Sequence, residues 1–138
     1  MKRITEEQGL ALIKEFQDKN LSGLSLNDDE LFSFKAQMRD KQIAYLCEAS
    51  ITEPSSENAD RIGKLVQTLK PEIDGIGKKP RYFHVQILMS NDASLTMDEL
   101  NAMNDFMDCY DDIEIKWTLN TIEGVPHTIK MQIITVTE

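Results

Sequence analysis

An α+β domain built on a four-stranded mixed sheet is predicted by three features of this sequence. Four runs alternate apolar and polar residues with a period of two. Four other segments carry apolar residues at helical spacing, most of them behind a capping pattern. The two kinds of segment follow one another as α, α, β, α, β, α, β, β, which gives a sheet with one strongly apolar face. The helices after the first and second strands are placed to cover that face, behind two N-terminal helices.

Thr5 with Gln8 has the form of a capping box, and Leu10, Ile13 and Phe16 recur at helical spacing until Asn20, so a first helix is predicted over roughly residues 5 to 19. After a turn at Gly23, Asn27 and Glu30 repeat the capping pattern before the apolar stripe of Leu31, Phe34 and Met38. From Ile43 the period becomes two: Ile43, Tyr45, Cys47 and Ala49 share one face, Ala44, Leu46 and Glu48 the other. Pro54, Ser55 and Ser56 break this strand and supply a cap for a third helix, whose stripe of Ala59, Ile62, Leu65, Val66 and Leu69 ends before Pro71. Gly75 to Pro80 reads as a loop, and Phe83, Val85, Ile87 and Met89 alternate as a second strand. Thr96 with Glu99 caps a fourth helix carrying Leu100, Met103, Phe106, Met107 and Tyr110. The last two strands, Ile113 to Leu119 and Ile129 to Ile133, flank a Gly124 and Pro126 turn and read as a β-hairpin.

A chain of 138 residues has the length of one domain and buries roughly two thirds of its unfolded surface, enough for a core without metal or disulfide staples. Within it, residues 1–40 are expected to form a helical segment packed on an α+β core of residues 41–138. The formal charge of −9, from 24 acidic against 15 basic residues, repels a phosphate backbone, and no basic run with interleaved aromatics offsets it. Nucleic acid is therefore not an expected partner. Cys47 and Cys109 suit two reduced, buried thiols better than a disulfide framework, which predicts a cytoplasmic location. Met1 leads straight into charged residues, and no run of 18 apolar residues occurs, so neither a secretory signal nor a membrane span is expected.

Residues able to do chemistry are sparse. His84 and His127 lie in no HExxH pair and near no cysteine at ligand spacing, and read as a strand side chain and a turn residue. Gly75, Gly77 and Lys78 echo part of a phosphate loop, yet lack its spacing and the Ser or Thr after the lysine. Asp108, Asp111, Asp112 and Glu114 could gather oxygen ligands but lack the pattern and glycine of an EF-hand, so a solvated helix end is the plainer reading. Met97, Met103, Phe106 and Met107 are adaptable enough for a groove, although such a stripe is usually core. Asp28, Asp29 and Glu30 form the most concentrated acidic cluster, which would also complement a helix dipole. No GxSxG elbow or cysteine-nucleophile motif occurs, and no catalytic, metal or cofactor site is expected.

In order and spacing these segments resemble the C-terminal half of FtsZ, the bacterial tubulin homologue, over nearly the whole chain. The run LTMDELNAMNDF from Leu95 to Phe106 looks like the family's helix behind an acidic-capped turn, and Ile113 to Thr137 is similar to its closing strands. Glu48, Ala49 and Ser50, with Ser56, Glu57, Asn58 and Ala59, look like a stretched form of its Ala-Ser-Gly-Glu-Asn-Arg-Ala segment without the glycine and arginine. Helix one with Gly23, Leu24 and Asp28 resembles the end of the central helix and the synergy loop, whose Asn-x-Asp-x-x-Asp carboxylates help position the hydrolytic water in a neighbouring subunit. Alignment on Gly23 and Leu24 puts Leu26, Asp28 and Leu31 at the three polar positions, and a shift by one keeps Asn27 and Asp29 but puts Phe32 last. No register restores the loop. The chain begins within the region resembling the central helix, so the resemblance implies no GTP binding by the family's means.

Two functions are open on these residues. One is a non-catalytic interaction module that uses Gly23, Leu24, Asn27, Asp28, Asp29 and Glu30 to dock on a tubulin-like subunit or on itself, with cell division as the implied setting. The other is an oligomeric enzyme or small-ligand binder of the chorismate mutase-like architecture, with an interfacial anion clamp made by Lys78, Lys79 and Arg81.

Overall fold

The computed structural model describes residues 1–18, 34–39, 42–54, 60–90, 95–110, 112–122 and 126–137. Along the chain run β1 (Lys2–Ile4), α1 (Glu6–Asp18), α-helical residues at 34–37, β2 (Ile43–Thr52), α2 (Arg61–Asp74), β3 (Pro80–Ser90), α3 (Met97–Asp108), β4 (Glu114–Ile122) and β5 (Thr128–Thr137). The α+β class and the mixed sheet agree with the sequence reading. Among the described residues the sheet has five strands rather than four, in the order β1-β2-β5-β3-β4. The added strand, β1, pairs antiparallel with β2 through Lys2↔Leu46, Arg3↔Tyr45 and Ile4↔Ala44. Three residues are too short to display a period of two, so the sequence predicts no strand ahead of the helix at residues 5 to 19.

The final two strands do not form the expected hairpin. β5 lies between β2 and β3 and is antiparallel to both, whereas β4 pairs parallel with β3. Burial explains the difference. In β5 the consecutive residues Ile133, Ile134, Thr135, Val136 and Thr137 are all buried, so the strand needs cover on both faces and belongs in the middle of the sheet. β4 alternates exposed and half-buried residues through most of its length, which suits an edge, and α3 supplies the crossover that a parallel β3–β4 pair requires.

The two faces of the sheet carry separate apolar clusters. On one, Cys47, Phe83, Val85, Ile87, Met131 and Ile133 pack with Ile62, Leu65 and Leu69 of α2 and with Met103 and Phe106 of α3. On the other, Ile13 of α1 and Phe34 pack with Ile4, Ala44, Tyr82, Ile134 and Val136. Gly9 makes the second cluster possible, because a Cβ at that position would overlap the ring of the fully buried Phe34. Gly9→Ala is expected to lower stability by about 1–3 kcal/mol despite the better helix propensity of alanine, as read from the urea midpoint.

The two predicted capping boxes that fall within the described residues both form. Thr5 Oγ1 accepts from the Gln8 N–H at 3.1 Å while Gln8 Oε1 accepts from the Thr5 N–H at 2.9 Å. At α3, Thr96 Oγ1 accepts from the Glu99 N–H at 3.2 Å and Glu99 Oε1 from the Thr96 N–H at 3.0 Å. α2 differs from expectation at both ends. Its N-cap is Asp60, with no side-chain cap bond, while Ser55 and Ser56 lie outside the described residues. Pro71 sits inside its last turns instead of after them; a proline there forfeits one N–H, yet its carbonyl still accepts from the Gly75 N–H at 2.9 Å. Of the predicted second helix, residues 34–37 are helical, and Asn27 to Leu31 fall outside the described residues.

Candidate functional site

Gly23, Leu24, Asn27, Asp28, Asp29 and Glu30, the predicted partner-binding loop, all lie outside the described residues. The elements on either side of it are placed: Ile13 and Phe34 anchor α1 and the 34–37 helical residues to the same face of the sheet.

The three predicted anion-clamp residues occupy the α2–β3 connection and the start of β3. Lys79 and Arg81 line a shallow groove of about 260 Å³ together with Pro80, Asp112 and Ile113, and Lys78 is not part of its wall. The Lys79 ammonium pairs with the Asp112 carboxylate, and that hydrogen bond and charge hold Asp112 below the usual aspartate range. With the Gln42 amide turned to satisfy its neighbours, its oxygen accepts from Arg81 Nη1 at 3.0 Å and its nitrogen donates to the Thr137 carbonyl at 2.7 Å. The groove thus brings together two of the three cations, each already engaged by a neighbour. Gly77, in the same connection, has φ 75°, a left-handed conformation that favours glycine.

Both histidines are where the sequence reading puts them, on a strand and in a turn. His84 is fully buried on β3, with Nδ1 3.5 Å from the Tyr82 hydroxyl, and burial lowers its pKa to about 4. Between that value and the ordinary 6.5, the unfolded chain binds a proton that the folded chain does not. Stability should therefore fall as pH drops from about 6.5 to about 4, by roughly 3 kcal/mol from this group. Urea unfolding at a series of pH values checks this, and His84→Gln should flatten that part of the profile. His127 adopts φ 53° in the turn before β5, where its carbonyl accepts from the Glu53 N–H at 2.8 Å.

Among the described residues, no group of three or more His, Cys, Asp or Glu side chains is arranged to hold a metal ion. Of the acidic set near the end of α3, Asp112 engages Lys79, Glu114 accepts from Gln37 Nε2 at 3.2 Å, and Asp111 lies outside the described residues. Met103 and Phe106 are core, whereas Met97 is 72% exposed. Cys47 is buried, with its thiol pushed up to about 11 by burial and by Glu72, while Cys109 is exposed, contrary to expectation; both are free. Cys109 follows the last helical residue of α3, off the stripe of Met103, Phe106 and Tyr110 that packs on the sheet.

Two features were not anticipated. The first is a fully buried ion pair. Arg61, the first residue of α2, donates through Nη2 to Glu99 Oε1 at 2.8 Å and through Nε to Oε2 at 2.9 Å, and its backbone N–H reaches the same Oε2 at 2.9 Å. Arg61 Nη1 also reaches the Glu53 carbonyl at 3.4 Å. One side chain, Glu99, therefore closes the α3 cap and locks it to the start of α2. The Thr96–Glu99 capping box was visible in the sequence, but nothing in the spacing of Arg61 singled it out. The second is that Trp117 and Leu119 on β4 are 42% and 39% exposed, because their strand is an edge and not half of a hairpin.

No protein-family model matches the chain, and no curated protein aligns with it. Solved structures do. A TubZ subunit from the GDP-form protofilaments of Bacillus thuringiensis serovar israelensis aligns at TM-score 0.61 and 10% identity, over 96% of this chain and 37% of that one. CetZ from Methanosaeta thermophila strain DSM 6194 aligns at TM-score 0.54 and 13% identity, over 95% of this chain and 35% of that one. The FtsZ dimer of M. jannaschii matches at TM-score 0.45 and 13% identity, over 67% of this chain and 26% of that one, too low to carry an argument. A thiamine monophosphate kinase and a hydrogenase maturation protein also align below 0.5. The chain spans about a third of the length of the TubZ and CetZ chains. At such identities the likeness concerns fold alone: the sheet and helices of this chain are arranged like those of part of the TubZ and CetZ chains.

Proposed function

We propose that this chain is a non-catalytic interaction module that docks on a tubulin-like subunit, or on a copy of itself, and so caps or tunes a filament. The observation that carries this reading is the arrangement of the sheet and its helices, which follows that of a filament-forming TubZ subunit over 96% of the chain. The buried ion pair supports it, because Arg61 and Glu99 are committed to each other and to the fold. Recognition is assigned to Gly23, Leu24, Asn27, Asp28, Asp29 and Glu30, and the setting to cytoplasmic filament assembly, with no use of GTP by the module itself.

The test is co-sedimentation with FtsZ assembled in GTP. Saturable pelleting with the polymer is expected, weakened tenfold or more by the pair Asp28→Lys and Asp29→Lys at unchanged urea midpoint. Protein that stays in the supernatant at every concentration would rule out docking on a tubulin-like subunit.

A further inference from the structure

We propose that β4 is a self-pairing edge, along which two copies of this chain join antiparallel about a two-fold axis at Thr118, so that the sheet runs from one copy into the next. Among the described residues β4 closes the sheet order, with β3 on one side and no strand on the other, so half of its backbone N–H and C=O groups point away from the sheet. It is nine residues long, whereas β1 at the opposite edge has three. Trp117 and Leu119 stand on one face of this edge, the face covered further in by α2 and α3, and both are well exposed.

The occupant is a second copy because the strand is complementary to itself. Outward backbone groups alternate along an edge, so two-fold antiparallel pairing places one residue opposite its own copy. The register that pairs the whole of Glu114–Ile122 puts Thr118 opposite the partner's Thr118. That same register puts Trp117 opposite the partner's Leu119, and Leu119 opposite the partner's Trp117, so each exposed apolar side chain is covered by one from the other copy and the pair occurs twice. It also sets Lys116 against the partner's Asn120, whereas a centre two residues earlier would oppose Lys116 with its own copy. The charges that usually guard an edge are partly compensated within the strand: Lys116 Nζ lies 3.8 Å from Glu114 Oε1, and Glu114 accepts from Gln37.

This inference deepens the self-association side of the proposed function by naming a surface, and its test involves no filament. Sedimentation equilibrium of the full chain across micromolar to millimolar concentration should show a monomer passing to a dimer. The emission of Trp117, the single tryptophan, should shift to the blue over the same range. Trp117→Lys with Leu119→Lys should keep the far-ultraviolet circular dichroism and weaken dimerisation tenfold or more. Under mild oxidation in a Cys109→Ser background, Thr118→Cys should link two copies and Lys116→Cys should not. A monomer throughout with unshifted emission, a dimer that survives the two lysines, or equal linking by the two cysteine variants would overturn the proposal. Co-sedimentation of the two-lysine variant with FtsZ reports separately on filament docking, so failure of one reading is distinguishable from failure of the other.

Discussion

Glu99→Gln is expected to lower stability by about 3–5 kcal/mol, a large share of the roughly 5–15 kcal/mol that holds a domain folded. The side chains of Arg61 and Glu99 are both 0% exposed, so the substitution strands a guanidinium charge with no solvent to screen it. The glutamine keeps an oxygen for the Thr96 N–H but puts an amide nitrogen where Oε2 accepted from the Arg61 N–H and Nε, and the loss therefore reports the charge and its bonds to Arg61 and not the cap. Adding Arg61→Met removes the stranded charge and should recover much of the stability, giving a coupling energy of about 0.5–3 kcal/mol in a double-mutant cycle read from urea midpoints. Additive losses would show that the two groups do not act on each other. The pair also shapes the acid limb of stability. Burial alone would raise the Glu99 carboxyl, but hydrogen bonds from Arg61 and from the Thr96 and Arg61 backbones outweigh it and hold the group below the ordinary glutamate value. Its contribution is fully present above an unfolded pKa of about 4.3 and is lost as pH falls through the lower folded value. Glu99→Gln should lack that part of the acid slope.

Phe83→Ala should be of similar size, about 3–5 kcal/mol, through a cavity and not a charge. Phe83 is fully buried in the first half of β3, its ring 6.3 Å from that of Phe106 and 4.8 Å, edge-on, from that of Tyr110. Those rings tie α3 and the turn after it to the sheet, so the truncation removes contacts on two elements together. Tyr110 also donates to Asp74 Oδ1 at 3.2 Å, at the end of α2, and burial and that carboxylate raise the phenol pKa. Phe83→Leu, which fills more of the space, should cost clearly less, with thermal unfolding as the readout; equal losses for the two would mean that the rings are not packed as described.

Local chemistry was legible in the sequence and neighbourhood was not. Thr5 with Gln8 and Thr96 with Glu99 announced two helix starts, because a capping box is written within four residues. The alternating runs announced four strands, but alternation states which way a side chain points and not which strand lies beside it. Ile133 and Ile134 in succession were the sign that β5 is covered on both faces, and a hairpin reading passes over that sign. With the hairpin went the exposure of Trp117 and Leu119. The Arg61–Glu99 pair spans 38 positions, beyond the reach of any spacing rule, and β1 has its partner 40 to 44 residues away. Of the candidate residues, Lys79 and Arg81 do meet in one groove, but the carboxylate that meets them there, Asp112, was assigned to a different cluster.

The most direct test of the account is the rate of GTP hydrolysis by assembling FtsZ as this protein is titrated to saturation, with the protein alone as the blank. Docking on filament ends or surfaces predicts a saturable, severalfold change in rate, and no turnover in the blank. An unaltered rate at saturation, or hydrolysis of GTP by the protein alone, would contradict it.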